Sequence, residues 1–361
     1  MKRNKNKIEL TAVIFIVLIL IGSLVYQNRG FLRSDIEAAK PVFSYETAAR
    51  YTFETVDGNI LALDSEALTC MSKNGHKQWD VIKKTSNPRM HTSDKHILVF
   101  DRGGKQLDAY IQESKLWEFT TEHPIVTAKI NSNGCAAVVS YEIGYKGKVE
   151  IIDNTGELLY KWLLSEDYII DVDVSPDSKY FAAVVLRPGS AKTTSSIIVV
   201  DIDGERKKGE VSFDGNLIFS MKYQKNGSIV AVGSDLLAGI SPKGEKLWTV
   251  DFEGKELESF KLGYNTSSVL SFAGSRNNSV VQIYGKKGQK IGEYISDEEV
   301  GDVDIFETTI AAAEKNNVVL LNQNGQVSTK TPFNKNINKL LLLSRHRIAI
   351  IGSNGVEILK P

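Results

Sequence analysis

Residues 242–250 read PKGEKLWTV, with Trp248 four positions after Gly244. The same phrase stands at 73–81, KNGHKQWDV, with Trp79 four after Gly75. At 112–119, QESKLWEF sets Trp117 four after Glu113, which takes the glycine's place. At 153–162, DNTGELLYKW has Tyr160 four after Gly156, then Trp162. Looser copies follow at Gly204 in DIDGERKKGEV, Gly288 in GKKGQKIGEY and Gly325 in NQNGQVSTK. The markers 75, 113, 156, 204, 244, 288 and 325 recur about every 40 residues, the length of one four-stranded propeller blade.

Between markers the chain alternates short Val, Ile, Tyr and Phe runs with Gly, Asn, Asp and Ser turns, the all-β pattern. The third unit parses as VTAKI, CAAVVSY, KVEIID and ELLYKW. The fourth gives IIDVDV, YFAAVVL, SIIVVDI and KGEVSF, and the fifth FSMKY, SIVAVG, LAGIS and KLWTV. Small and β-branched residues are expected in the inner strands, near the crowded axis. A more polar last strand is expected at the exposed edge. The C-terminal stretch supplies only three strands, INKLLLL, RIAIIG and GVEILK. A fourth is expected from PVFSYET at 41–47, which makes eight blades; were RYTFET at 50–55 the closing strand, seven would result. Eight is the reading taken.

Residues 8–26, IELTAVIFIVLILIGSLVY, carry no charge from Leu10 onward, and about 20 apolar residues suffice to cross a bilayer as a helix. Lys2, Arg3, Lys5 and Lys7 precede the run. The positive-inside rule then puts the N-terminus in the cytoplasm and the rest outside. No small-residue cleavage site follows, so an uncleaved single-pass anchor is expected rather than a signal peptide. The expected organisation is a cytoplasmic segment 1–7, a transmembrane helix 8–26, a linker 27–42 and a propeller 43–361.

Lys+Arg and Asp+Glu are both 44, a balance that gives no support to nucleic-acid binding. Cys70 and Cys135 sit in the apolar runs ALTCM and NGCAAVV and are read as buried small hydrophobes. No GxSxG elbow or P-loop is present. The five histidines, at 76, 91, 96, 123 and 346, lack metal-ligand spacing. Asp201-Ile202-Asp203-Gly204 reads as a turn rather than a calcium loop. Asp171 and Asp173 alternate along one strand and so share a face; blade-capping turns are the preferred reading over paired acids. No catalytic residue, cofactor or metal is expected.

The Gly-x-x-x-Trp phrase resembles the pyrroloquinoline-quinone-like propeller repeat of quinoprotein dehydrogenases and of non-enzymatic scaffolds such as the outer-membrane assembly lipoprotein. SPDSKYFAA at 175–183 resembles TolB-type and WD40-like blades. The layout is similar to a family of single-pass membrane-anchored β-propeller proteins of Gram-positive bacteria. The quinoprotein likeness implies a vicinal disulfide, a calcium ion and a catalytic aspartate. Cys70 and Cys135 are not adjacent, so quinone chemistry is not expected.

Two sets of residues are candidates for partner binding. Lysines and arginines crowd the turns between third and fourth strands, among them Lys207, Lys208, Lys286 and Lys287. These turns lie on one propeller face and predict a basic ring there, suited to anionic lipids or wall polymers. Three longer loops join second to third strands at 141–148, 187–195 and 273–279, and carry Tyr141, Tyr145, Arg187 and Arg276. The expected function is a non-enzymatic, membrane-tethered extracytoplasmic scaffold for an envelope or membrane protein. The alternative is an enzyme or sensor acting on an envelope polymer or small ligand in the propeller funnel.

Overall fold

The computed structural model describes residues 41–45, 50–188, 194–204, 206–264, 266–275 and 278–360. The expected membrane helix 8–26, the segment 1–7 and nearly all of the linker lie outside the described residues. Among the described residues no helix is long and apolar enough to cross a membrane.

The described strands form eight antiparallel four-stranded sheets. Seven are consecutive in sequence and run from Thr52–Ile82 (blade 1) to Val300–Pro332 (blade 7). Blade 8 takes Lys339–Ser344, Arg347–Ile351 and Gly355–Leu359 from the C-terminus. Its outer strand is Phe43–Ser44, with Phe43 opposite Val356 and Ser44 opposite Gly355. PVFSYET is therefore the closing strand, and RYTFET is the inner strand of blade 1, Thr52–Val56. Backbone bonds from Val42 N–H to Val356 O (2.8 Å) and Tyr45 N–H to Asn354 O (3.1 Å) extend the seam. Phe43, Tyr45, Tyr51 and Phe53 pack as an aromatic cluster behind it.

The second and third strands form the dry layer. Ala136–Ser140, Ile229–Gly233 and Leu236–Ile240 are buried at every position. The fourth strands are polar and mostly exposed, as in Lys77–Ile82. The expectation for the inner strands needs one correction. The small and β-branched residues fill the second and third strands, whereas the innermost carry charge, as in Ala128-Lys129 and Asp171-Val172-Asp173. An innermost strand has no sheet partner on its axial side, so polar groups there can meet channel water or each other.

The repeat motif packs blade against blade. Trp248, on the outer strand of blade 5, lies between Gly239 of its own blade and Gly288 of blade 6. Gly288 has φ +78°, and a Cβ there would stand 2.5 Å from Trp248 Cε3. Blade 2 repeats the seam: Trp117 sits under Gly156, where an added Cβ would stand 2.7 Å from the Trp117 Cβ and 3.2 Å from its ring Cγ. The glycine thus serves a left-handed turn and a flat berth for the indole at once. In blades 4 and 6 a glycine replaces the tryptophan and the next turn closes backbone to backbone, as with Gly209 against Gly244. At the ring junction Val42 takes the tryptophan's place and packs on Gly75.

Replacing Trp248 with Ala is expected to cost ~3 kcal/mol. Gly288→Ala adds a left-handed penalty of about 1–2 kcal/mol to the clash with the indole. In a Trp248→Ala background only the backbone part should remain. Chemical denaturation of the four members of this cycle measures the difference; strict additivity would remove the seam.

Candidate functional site

Every blade contributes its inner strand to one central channel. A cavity of about 370 Å³ there is lined by Glu54, His91, Lys129, Asp173, Lys222, Lys261, Asp304 and Leu342, one residue from each of the eight blades. The loops after the inner strands, including Asp94, Pro176 and Tyr264, form its mouth. It therefore opens on the face that carries the turns between first and second, and third and fourth, strands.

Aspartates stitch neighbouring inner strands together. Asp171 of blade 4 accepts Met221 N–H of blade 5 at 2.9 Å, and Asp173 accepts Tyr223 N–H at 2.8 Å. The arrangement recurs three blades on, where Asp302 accepts Leu340 N–H and Asp304 accepts Leu342 N–H, both at 2.7 Å. Neither reading of Asp171 and Asp173 from sequence is found: they cap no turn and form no acid pair. They satisfy edge amides that the sheet leaves without a partner. Burial raises the Asp173 and Asp302 pKa values above the usual carboxylate range.

Three channel lysines have partners. Lys129 donates to Asp171 (2.6 Å) and to Met221 O (2.9 Å). Lys261 pairs with Asp304 at 3.0 Å. Lys339 donates to Phe53 O (2.6 Å) and Glu54 (3.1 Å), which ties blade 8 to blade 1 across the ring closure. Burial opposes the charge on Lys129 and Lys261, but the neighbouring aspartates outweigh it and hold both pKa values up. His91 accepts Ile130 N–H at Nδ1 (3.2 Å). Burial, then Lys129 and Lys222, push its pKa well below the ordinary value, so it stays neutral.

Lys222 differs. Its ammonium makes no hydrogen bond or ion pair with a described residue. Burial, then the charge of Lys261, lower its pKa to about 8. Attraction from Asp173 does not restore it. Among the described residues no cluster of histidine, cysteine and carboxylate side chains could hold a metal ion.

Some lysines at or near the expected basic ring are paired within the outer strands. Lys77 pairs with Asp80, Lys115 with Glu118, Lys207 with Glu210 and Lys290 with Glu293, at 2.5–2.8 Å. Residues three apart on a flat strand face opposite ways. Here each outer strand carries a β-bulge next to the lysine, which returns both ends to one side. Lys208 sits 3.3 Å above the Tyr180 ring. Lys286 and Lys287 are exposed on their turn.

Of the long-loop candidates, Arg276 lies outside the described residues. Arg187 is held by Asp167 through two bonds of 2.8 and 2.7 Å and fixes the end of its own blade. Tyr141 and Tyr145 are brought together with Ile143, which the sequence reading did not single out, at 61, 44 and 81% exposure. Beneath them Lys148 is 1% exposed and faces Glu142 at 2.9 Å, Glu122 at 3.4 Å and Glu150 at 3.5 Å. Glu142 belongs to the loop, so the buried Lys148 ties the base of the loop to the sheet beneath the apolar residues.

A family model matches residues 34–360. The chain belongs to the family of unknown function DUF5711. No curated protein matches it in sequence. Among solved structures it is similar to the computationally designed protein Ika8, at 11% identity and a TM-score of 0.66, over 88% of this chain and 98% of that one. BamB from Moraxella catarrhalis gives 13% and 0.54, over 85% and 92%. Sqt1 from Chaetomium thermophilum, bound to the N-terminus of ribosomal protein L10, gives 10% and 0.56, over 84% and 94%. At such identities the likeness is one of fold.

Two outcomes test the channel account. Asp304→Ala strips Leu342 N–H and Lys261 of an acceptor and should cost about 3–5 kcal/mol in denaturant unfolding. For Lys222 the folded pKa, about 8, lies below the ordinary 10.5. Below about 8 both folded and unfolded chains carry the charge, and the burial penalty is present in full. Between the two values the unfolded chain keeps a proton that the folded one has released, so the penalty fades as pH rises. Lys222→Leu should therefore raise Tm at pH 7, with the gain shrinking toward pH 10.5. A gain independent of pH would refute the shift.

Proposed function

We propose that this protein is a non-enzymatic scaffold, tethered by the apolar segment 8–26 and displaying its propeller outside the membrane to bind an envelope or membrane protein. The observation that carries the reading is the loop of Tyr141, Ile143 and Tyr145. It is an exposed apolar contact held in place by the buried Lys148 cluster, on a ring closed by its own termini. A contact ordered before binding loses little entropy when the partner arrives. The apolar run with its basic N-terminal flank supports the anchor and the outward orientation. Propellers of this fold include one bound to a protein segment, the Sqt1 complex with the L10 N-terminus. Of the carboxylates an enzyme in the funnel would need, Glu54, Asp173 and Asp304 are committed to backbone amides or a lysine, which favours a binding role.

The native thiols make the orientation testable. Cys70 and Cys135 are buried, and burial pushes their pKa values up to about 11 and about 12. Native protein in intact cells should not react with a membrane-impermeant maleimide, whereas Ile143→Cys should be labelled. Labelling only after lysis would reverse the topology. A photo-crosslinking residue at 143 should then capture one membrane or envelope protein, lost on Tyr141→Ser with Tyr145→Ser. Equal capture from a probe at exposed Lys84 would leave the loop without a role.

A further inference from the structure

We propose that the central channel is a binding site for a small organic monocarboxylate, with the Lys222 ammonium as its counter-ion. The observation is an exception within a regular pattern. Lys129, Lys261 and Lys339 each meet a carboxylate, at 2.6, 3.0 and 3.1 Å. Lys222 meets none among the described residues, although it lines the same cavity. A half-buried channel ammonium without a protein acceptor is open to an anion, and the fold does not require a lysine there. Blade 8 shows this. Asp171 and Asp173 bind the amides on either side of Lys222, as Asp302 and Asp304 bind those on either side of Leu341. The equivalent position thus holds a leucine, fully buried.

Size and chemistry narrow the ligand. About 370 Å³ lies within the range of small-molecule pockets, roughly 300–1,000 Å³. Phe260, Leu262, Ile305 and Phe306 line the same space and offer an apolar berth. Glu54, Asp173 and Asp304 also face it. One free cation among carboxylates accepts one negative charge and repels a second, so a monoanion with an apolar body fits and a phosphate dianion does not.

The test uses the full chain in detergent at pH 7, titrated with acetate, benzoate, phenylpropionate and inorganic phosphate while Tm is followed. Benzoate or phenylpropionate should raise Tm saturably by several degrees, acetate less, and phosphate not beyond the effect of chloride at equal ionic strength. Lys222→Leu, expected to fold because Leu341 does so in its place, should abolish the rise. Replacing Tyr141 and Tyr145 with Ser should leave it intact, which separates this site from the partner loop. The proposal falls if no monocarboxylate raises Tm, if phosphate matches them, or if Lys222→Leu responds like the native chain.

Discussion

The pairing of Phe43–Ser44 with Val356 and Gly355 is the constraint on which the ring depends. A propeller blade buries its faces against two neighbours, so every blade is stable only if the circle is complete. Here a two-residue strand closes it, reinforced by Val42 on Gly75 and by the aromatic cluster behind the seam. On the axial side the same junction is bridged by Lys339, which reaches Phe53 O and Glu54. Closure joins the two ends of the propeller, over 300 residues apart in sequence, so it links the stability of the first and last blades.

Around the circle two seams of different chemistry repeat. At the rim, indole on glycine or glycine on glycine sets the spacing of turns. At the axis, carboxylates accept amides that an inner strand cannot pair within its own sheet. The rim seam is apolar and insensitive to pH. The axial seam gathers buried charge in a confined space, where Asp171 and Asp304 each serve an amide and a lysine at once. Among the described residues Lys222 meets no carboxylate of this seam.

The two candidate surfaces follow from different parts of this construction. The loop of Tyr141, Ile143 and Tyr145 is tied at its base by Glu142 to the buried Lys148. The channel owes its chemistry to residues from all eight blades and exists only after closure. Fold likeness to BamB and Sqt1 locates neither, since those similarities rest on backbone shape at 13% identity or less.

The repeat spacing, the four-strand units, the three-strand remainder at the C-terminus and the donor at 41–47 were all legible in the chain, because strand patterning and blade length are local properties. The tyrosines at 141 and 145 were legible as loop residues for the same reason. The ion pairs beside the basic turns were not legible, because a bulge brings Lys77 onto Asp80 and Lys207 onto Glu210, and strand alternation alone does not show a bulge. The channel charges were present in the sequence as single Lys and Asp residues inside first strands. Their partners lie 42 positions away in Lys129–Asp171 and 50 in Asp171–Met221. Contacts across blades are set by the angle at which sheets meet, so only the tertiary structure decided which charges are paired and which one is left facing open space.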